Sequence, residues 1–141
     1  MIDAFDGAKA AVFIGEHLLV YRRDNRPDIP WPGHWDFPGG GREGAETPEE
    51  TLFREIREEF GLSVDETSLR WKRRFNAAHN AQARVWFFVL SLPDTARSEI
   101  VFGDEGQEWR LMTPDTFFAL PKIVPSFGPR FQLWLDETGG L

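Results

Sequence analysis

The chain contains no cysteine, which excludes disulfides, thiolate metal sites and a cysteine nucleophile. No apolar run approaches the roughly 18 residues that would suggest a membrane span. The opening stretch MIDAFDGAKAAVFIG carries Asp3 and Asp6 and has no basic region ahead of a long apolar one, so no signal peptide is expected. Without thiols or an export signal, a cytoplasmic location is the default expectation, and no membrane partner is expected. Repeats, low-complexity tracts and linkers are also missing. Positive charge is in short supply: 16 Lys and Arg against 23 Asp and Glu give a net charge of −7 and a pI of about 5.0. Such a chain is poorly suited to wrapping duplex nucleic acid, which requires many Lys and Arg. A small phosphate compound is compatible with it if divalent cations supply the positive charge.

What is present describes a folded protein. The 141 residues are 41% hydrophobic and 14% aromatic, with 6 Trp and 13 Phe, enough for one domain spanning residues 1–141 and its own core. AKAAVFIG (8–15) and HLLVYRR (17–23) read as a hairpin turning near Gly15-Glu16, followed by a proline-rich loop over residues 24–33. HWDFP (34–38) reads as a short strand running into Gly39-Gly40-Gly41. Residues 68–77, 83–92 and 108–112 read as further strands, with a small helix opening at Thr113-Pro114-Asp115 and another over 130–137. Strands with helices inserted among them predict an α+β, αβα arrangement.

The helix signals of the central segment coincide. Thr47 suits the N-cap, Pro48 the first helical position, Glu50 completes a Thr-x-x-Glu capping box, and Gly61 suits the left-handed C-terminal position. Leu52, Phe53, Ile56 and Phe60 supply the apolar face of a helix over about Pro48 to Phe60. Glu55, Glu58 and Glu59 share another face, where like charges repel by roughly 0.2–0.5 kcal/mol per pair. Three glutamates on a helix ordinarily form a solvated surface. Here Gly39-Gly40-Gly41 precedes them and lets backbone approach closely, and Glu46 lies where it can hold Arg54. Hard cations such as Mg²⁺ and Mn²⁺ favour oxygen donors of this kind.

These residues resemble the Nudix hydrolase box, G-x5-E-x7-R-E-U-x-E-E-x-G-U with U bulky and aliphatic. The positions read Gly40, Glu46, Arg54, Glu55, Ile56, Glu58, Glu59, Gly61 and Leu62, without departure. Seven single-residue requirements make chance agreement at one start roughly one in a hundred million. The resemblance implies a Nudix αβα sandwich with a mixed β-sheet, of MutT type, and hydrolysis of a nucleoside diphosphate linked to a further moiety. It implies Mg²⁺ (or Mn²⁺) bound by Glu55, Glu58 and Glu59 with a backbone carbonyl near Gly39 or Gly40, and Arg54 with Glu46 orienting the helix. It also implies a further metal-binding or water-positioning glutamate, for which Glu105 fits best and Glu108 is the alternative.

Substrate expectations follow from the flanks. Arg23 falls where MutT-type enzymes place a phosphate-contacting arginine, beside Arg22. Trp31, Trp35 and Phe37 are candidates to stack on a base, Phe37 being also a natural core residue in so Phe-rich a chain. His79 and Asn80 occupy a loop between strands, and a lone His there is ordinarily incidental. The proline and the tyrosine that ADP-ribose and dinucleoside-polyphosphate subfamilies tend to carry after the box are missing from residues 76–80, and LPKIVPSFG offers no counterpart to the asparagine of the 8-oxo-guanine enzymes. A (deoxy)nucleoside triphosphate, cleaved to monophosphate and pyrophosphate, is the expected small-molecule substrate. A nucleoside diphosphate derivative such as a nucleotide sugar, or a non-catalytic nucleotide-sensing module, is the alternative. A homodimer is compatible with any of these.

Overall fold

A computed structural model describes residues 4–77 and 80–141, and the side chains of residues 77 and 80–82 are not described. The expectation attached to His79 lies outside these residues, while Asn80, expected in a loop, begins a strand. The strands are β1 Gly7–Ile14, β2 His17–Arg22, β3 Trp35–Asp36, β4 Gly39–Gly41, β5 Leu69–Ala77, β6 Asn80–Leu92 and β7 Glu108–Met112. The helices are α1 Pro48–Phe60, α2 Pro114–Phe118 and α3 Phe127–Thr138.

All seven strands form one mixed sheet whose central path is β3-β2-β1-β6-β5, with β4 paired to β1 and β7 to β2. β1 runs parallel to β6 from Gly7↔Val85 to Ile14↔Leu92, while its other neighbours are antiparallel. The β1–β2 hairpin pairs only near its turn, from Val12↔Leu19 to Ile14↔His17. Beyond that the two strands splay, and the segment 35–41 fills the gap. Its β3 half pairs with Tyr21 and Arg22, its β4 half pairs with Gly7 to Lys9, and Ala10 N donates to Pro38 O at 2.9 Å. Gly39 is obligatory here: its φ is +130°, and a Cβ would lie 2.1 Å from Ala8 O.

Period-two alternation divides the sheet residues between two cores. Ala8, Ala10, Val12, Leu19, Tyr21, Phe88 and Leu90 pack against Leu52, Ile56 and Phe60 of α1. Ala11, Phe13, Leu18, Val20, Phe87 and Val89 pack against Phe117, Phe127, Phe131 and Trp134 of α2 and α3. The expected αβα layering is therefore present. The C-terminal helix begins earlier than residue 130, and 94–99 forms a 3₁₀ turn with no strong sequence signal.

The ends of α1 are as the sequence dictates. Thr47 Oγ1 accepts from Glu50 N at 3.1 Å, Glu50 Oε1 accepts from Thr47 N at 2.8 Å, and Gly61, at φ +66°, donates to Arg57 O at 2.9 Å. A six-residue loop, 42–47, joins the glycine strand β4 to this capped helix.

Candidate active site

The insertion of β4 and the packing of α1 onto β1 bring Gly39–Gly41 against the acidic face of the helix. They wall a cleft of about 870 Å³ together with Glu55, Glu58, Glu59 and Glu105. Arg23 and Lys9 also line it. A Cβ on Gly40 would lie 2.5 Å from the Glu55 carboxyl carbon, so a side chain there would displace that carboxylate.

Arg54 organises the acidic side. Its Nε donates to Glu46 Oε2 at 2.7 Å, and its Nη2 donates to Glu46 Oε1 at 3.1 Å and Gly41 O at 2.8 Å. Its Nη1 donates to Glu55 Oε1 at 3.0 Å and Glu58 Oε2 at 3.2 Å. Glu46 also accepts from Glu43 N and Thr51 Oγ1. The Arg54 hydrogen bond above all brings its carboxyl down to about 2, and the carboxylates in turn hold the guanidinium firmly charged. A planar fork serving three carboxylates and a carbonyl is arginine's particular geometry.

Glu59 is buried and accepts from Gly39 N at 2.9 Å through Oε1. Burial pushes its carboxyl up to about 7, against the opposing pull of Lys9 and the Gly39 N–H. Burial also raises Glu55, with Arg54 opposing. Among the described residues no three acidic or histidine side chains converge closely enough to hold an ion unaided. Arg54 occupies Glu55 and Glu58, and Gly39 N occupies one oxygen of Glu59. The donor set nevertheless fits a hard cation. All its atoms are oxygens, bare glycine backbone adjoins them, and two of the carboxyls are raised by burial in a way that added positive charge relieves.

The substrate-side expectations fare differently. Arg23 lines the cleft, with Nη1 donating to Asp36 Oδ2 at 2.8 Å and Nε to Pro30 O at 2.9 Å. Arg22 turns aside, its Nε donating to Gly33 O. Glu108 is engaged by Arg110 at 2.7 Å and by Arg22 at 3.9 Å, leaving Glu105 as the loop glutamate in the cleft wall. Trp31 is 38% exposed and borders a second, smaller cleft. Phe37 is 0% exposed and enclosed by Phe87, Phe117, Phe127 and Phe131, so the stacking expectation is corrected: no face of its ring is left for a base. Trp35, 7% exposed, also belongs to that core.

Sequence reasoning missed Asp36. It is 2% exposed, and its Oδ2 accepts from Lys9 Nζ at 3.0 Å, Tyr21 Oη at 3.0 Å and Arg23 Nη1 at 2.8 Å. The burial of Tyr21, then the charge of Asp36, raise that phenol well above its ordinary value. The one available signal was an acidic residue inside the apolar run Trp35-Asp36-Phe37.

A model of the NUDIX domain matches residues 6–134. The chain belongs to the NUDIX family. An RNA pyrophosphohydrolase of Halorhodospira halophila is 35% identical over 122 residues, 75% of this chain and 66% of that protein. An 8-oxo-dGTP diphosphatase of Proteus vulgaris is 51% identical over 60 residues, 43% of this chain and 54% of its own length. The NUDIX chain thus spans less than two thirds of each of these relatives. In fold it is similar to the MutT protein of Methanosarcina mazei, with TM-score 0.73, 20% identity and coverage of 93% and 92% of the two chains. It is also similar to a bifunctional NMN adenylyltransferase/ADP-ribose pyrophosphatase of Francisella tularensis, with TM-score 0.72 and 18% identity, covering 97% of this chain and 42% of that one.

Proposed function

We propose that this NUDIX domain is a divalent-metal-dependent pyrophosphohydrolase that cleaves a (deoxy)nucleoside triphosphate to the monophosphate and pyrophosphate. The observation that carries this reading is the Arg54 fork, which holds Glu46 together with three residues of the large cleft's wall, Glu55, Glu58 and Gly41.

Mg²⁺ or Mn²⁺ would be held by Glu55, Glu58, Glu59 and Glu105 beside the Gly40 backbone, supplying positive charge along the diphosphate bridge. The Francisella tularensis neighbour is described as a complex with AMP and an Mn ion, which supports this choice of cation. Arg54 and Glu46 keep the acidic helix face in one register, and Lys9 and Arg23 present cationic groups to substrate phosphates in the cleft. A water oxygen attacks phosphorus, the bridging P–O bond breaks, and one of Glu55, Glu58, Glu59 and Glu105 takes the proton. The electron pair of the broken bond leaves on the departing phosphate.

Strand β5 favours a second substrate for the same bond, the 5′ end of an RNA. Arg70, Lys72, Arg73 and Arg74 are exposed on this sheet edge, and Phe75 pairs with Val85, which lines the cleft. A basic edge with Trp71 interleaved can track a single strand, and the Halorhodospira halophila relative carries the corresponding name.

The test is a panel of nucleoside triphosphates, nucleotide sugars and 5′-triphosphorylated RNA with Mg²⁺, read as phosphate, pyrophosphate and monophosphate released. Activity is expected to vanish with EDTA and return with Mg²⁺ or Mn²⁺. Full turnover in exhaustively chelated protein would refute the metal mechanism. Micromolar nucleotide binding with no hydrolysis across the panel would make this a sensing module instead.

A further inference from the structure

Behind the wall formed by Lys9, Arg23 and Val85 lies the smaller cleft, of about 180 Å³. Three independent features of its wall point to a ligand. First, Asp36 Oδ1 is buried and has no hydrogen-bond partner, although Oδ2 of the same carboxylate accepts three donors. Buried acceptors are satisfied as a rule, and an exception calls for a partner that arrives from outside. Second, Arg130 on α3 is 9% exposed and, among the described residues, forms no ion pair. It donates one bond, from Nη2 to Asn76 O at 3.0 Å, and lies over the Phe75 ring at 4.9 Å. Burial with no compensating carboxylate lowers its proton affinity, so an acceptor beside it is favourable. Third, Trp31 holds φ at +52°, a conformation that bulky residues rarely adopt away from functional sites.

We propose that this cleft reads a nucleobase, Asp36 Oδ1 accepting the ring N–H of the base's pairing edge and Arg130 donating to a neighbouring carbonyl. The proposal rests on the nucleotide-substrate reading above and names the bases it admits. Guanine and uracil carry a ring N–H beside a carbonyl on that edge. Adenine and cytosine carry a ring lone pair there, which opposes the carboxylate and leaves Asp36 Oδ1 without a ring N–H to accept from. Trp31 supplies an aromatic face for the base. It is also exposed, so it is the side chain that yields as the base reaches Oδ1.

The test uses the metal-free protein in EDTA, titrated by calorimetry with GMP, UMP, AMP and CMP. GMP and UMP are expected to bind about tenfold tighter than AMP and CMP, the worth of roughly one buried hydrogen bond. In Asp36→Asn the remaining oxygen keeps the three donors, and an NH₂ group replaces Oδ1. The preference should then disappear or invert toward AMP and CMP. Arg130→Lys keeps the charge and loses the fork, and should weaken GMP and UMP selectively. Thermal melts show whether each variant folds; if Asp36→Asn does not, the wild-type ranking and Arg130→Lys decide. Equal affinities for all four in the wild type mean a pocket filled by water alone and overturn the proposal. Undetectable binding at millimolar ligand, or an Asp36→Asn variant that weakens all four equally, overturns it too. Hydrolysis is not read in this experiment, so the two ideas fail separately. Base-selective binding in a protein that cleaves nothing removes the pyrophosphohydrolase reading alone, and cleavage without base selectivity removes this one alone.

Discussion

Two charged hubs each hold residues that line the large cleft, and they are built in opposite ways. Arg54 is one cation shared among four acceptor groups, and each of its nitrogens is engaged. Asp36 is one anion that crowds three donors onto a single oxygen and leaves the other empty. A saturated hub holds its neighbours in place and has nothing left to bind with. A hub with an open valence holds its neighbours and keeps one contact for something that arrives. The difference separates positioning from recognition within a few residues of sheet.

The largest effect expected from breaking the acidic side is on turnover. Glu59→Gln retains the acceptor for Gly39 N and removes a charge where phosphate charge shifts in the transition state. Its kcat should fall on the order of 10²- to 10⁴-fold with the fold intact, read as steady-state hydrolysis beside a thermal melt. An equally active variant would remove Glu59 from the machinery.

Removing the Asp36 hub should appear first as lost stability. Asp36→Leu strands Lys9 and Arg23 beside a buried Tyr21, and cutting one partner from such a buried pairing costs about 3–5 kcal/mol. Denaturant unfolding at constant pH measures it. A loss below 1 kcal/mol would show that the crowded oxygen contributes little to folding.

The pH dependence of the metal-free protein sharpens the contrast from the acidic side. The Glu59 carboxyl titrates near its ordinary 4.5 when unfolded and about 7 when folded. The folded state therefore holds the extra proton between these values, and stability falls as pH rises through that window, by on the order of 3 kcal/mol. Above about 7 this contribution is level. Melting curves from pH 4.5 to 8 in EDTA should show the fall, Glu59→Gln should flatten it, and an unchanged slope in the variant would assign it elsewhere.

Arg54→Lys tests positioning alone. It keeps one charge and loses the fork, so kcat should drop about 10- to 100-fold while KM changes little. A normal kcat with a large rise in KM would place Arg54 on the substrate. The smallest effect belongs to the helix start. Thr47→Ala should cost about 1 kcal/mol of stability with kcat near the wild-type value, and a large loss of activity would show that the cap does more than begin the helix.

The helix, its caps and the spacing of Glu46, Arg54, Glu55, Glu58 and Glu59 were legible in the chain because their contacts are local. Helical geometry converts separations of three and four residues into a shared face, and a capping box closes within one turn. Asp36 and the burial of Trp35 were not legible, although the two residues are adjacent. Alternation along an extended segment sends them to opposite faces of the sheet, and which face meets α3 and which meets Lys9 is not written in Trp35-Asp36-Phe37. The same limit applied to the expectation that Trp31 and Trp35 offer stacking faces, of which only Trp31 is exposed.

By itself the sequence determined an αβα domain with a capped acidic helix following a glycine run, since periodicity, caps and glycine freedom act over a few residues. Only the tertiary structure decided what those residues face. The splayed β1–β2 hairpin admits residues 35–41 into the sheet, which brings Asp36 to Lys9 across 27 residues and to Tyr21 across 15. The parallel β1–β6 pairing places Val85 between the two clefts. Contacts of that range depend on how strands order and register in the sheet, and that order is set by the packing of both cores at once.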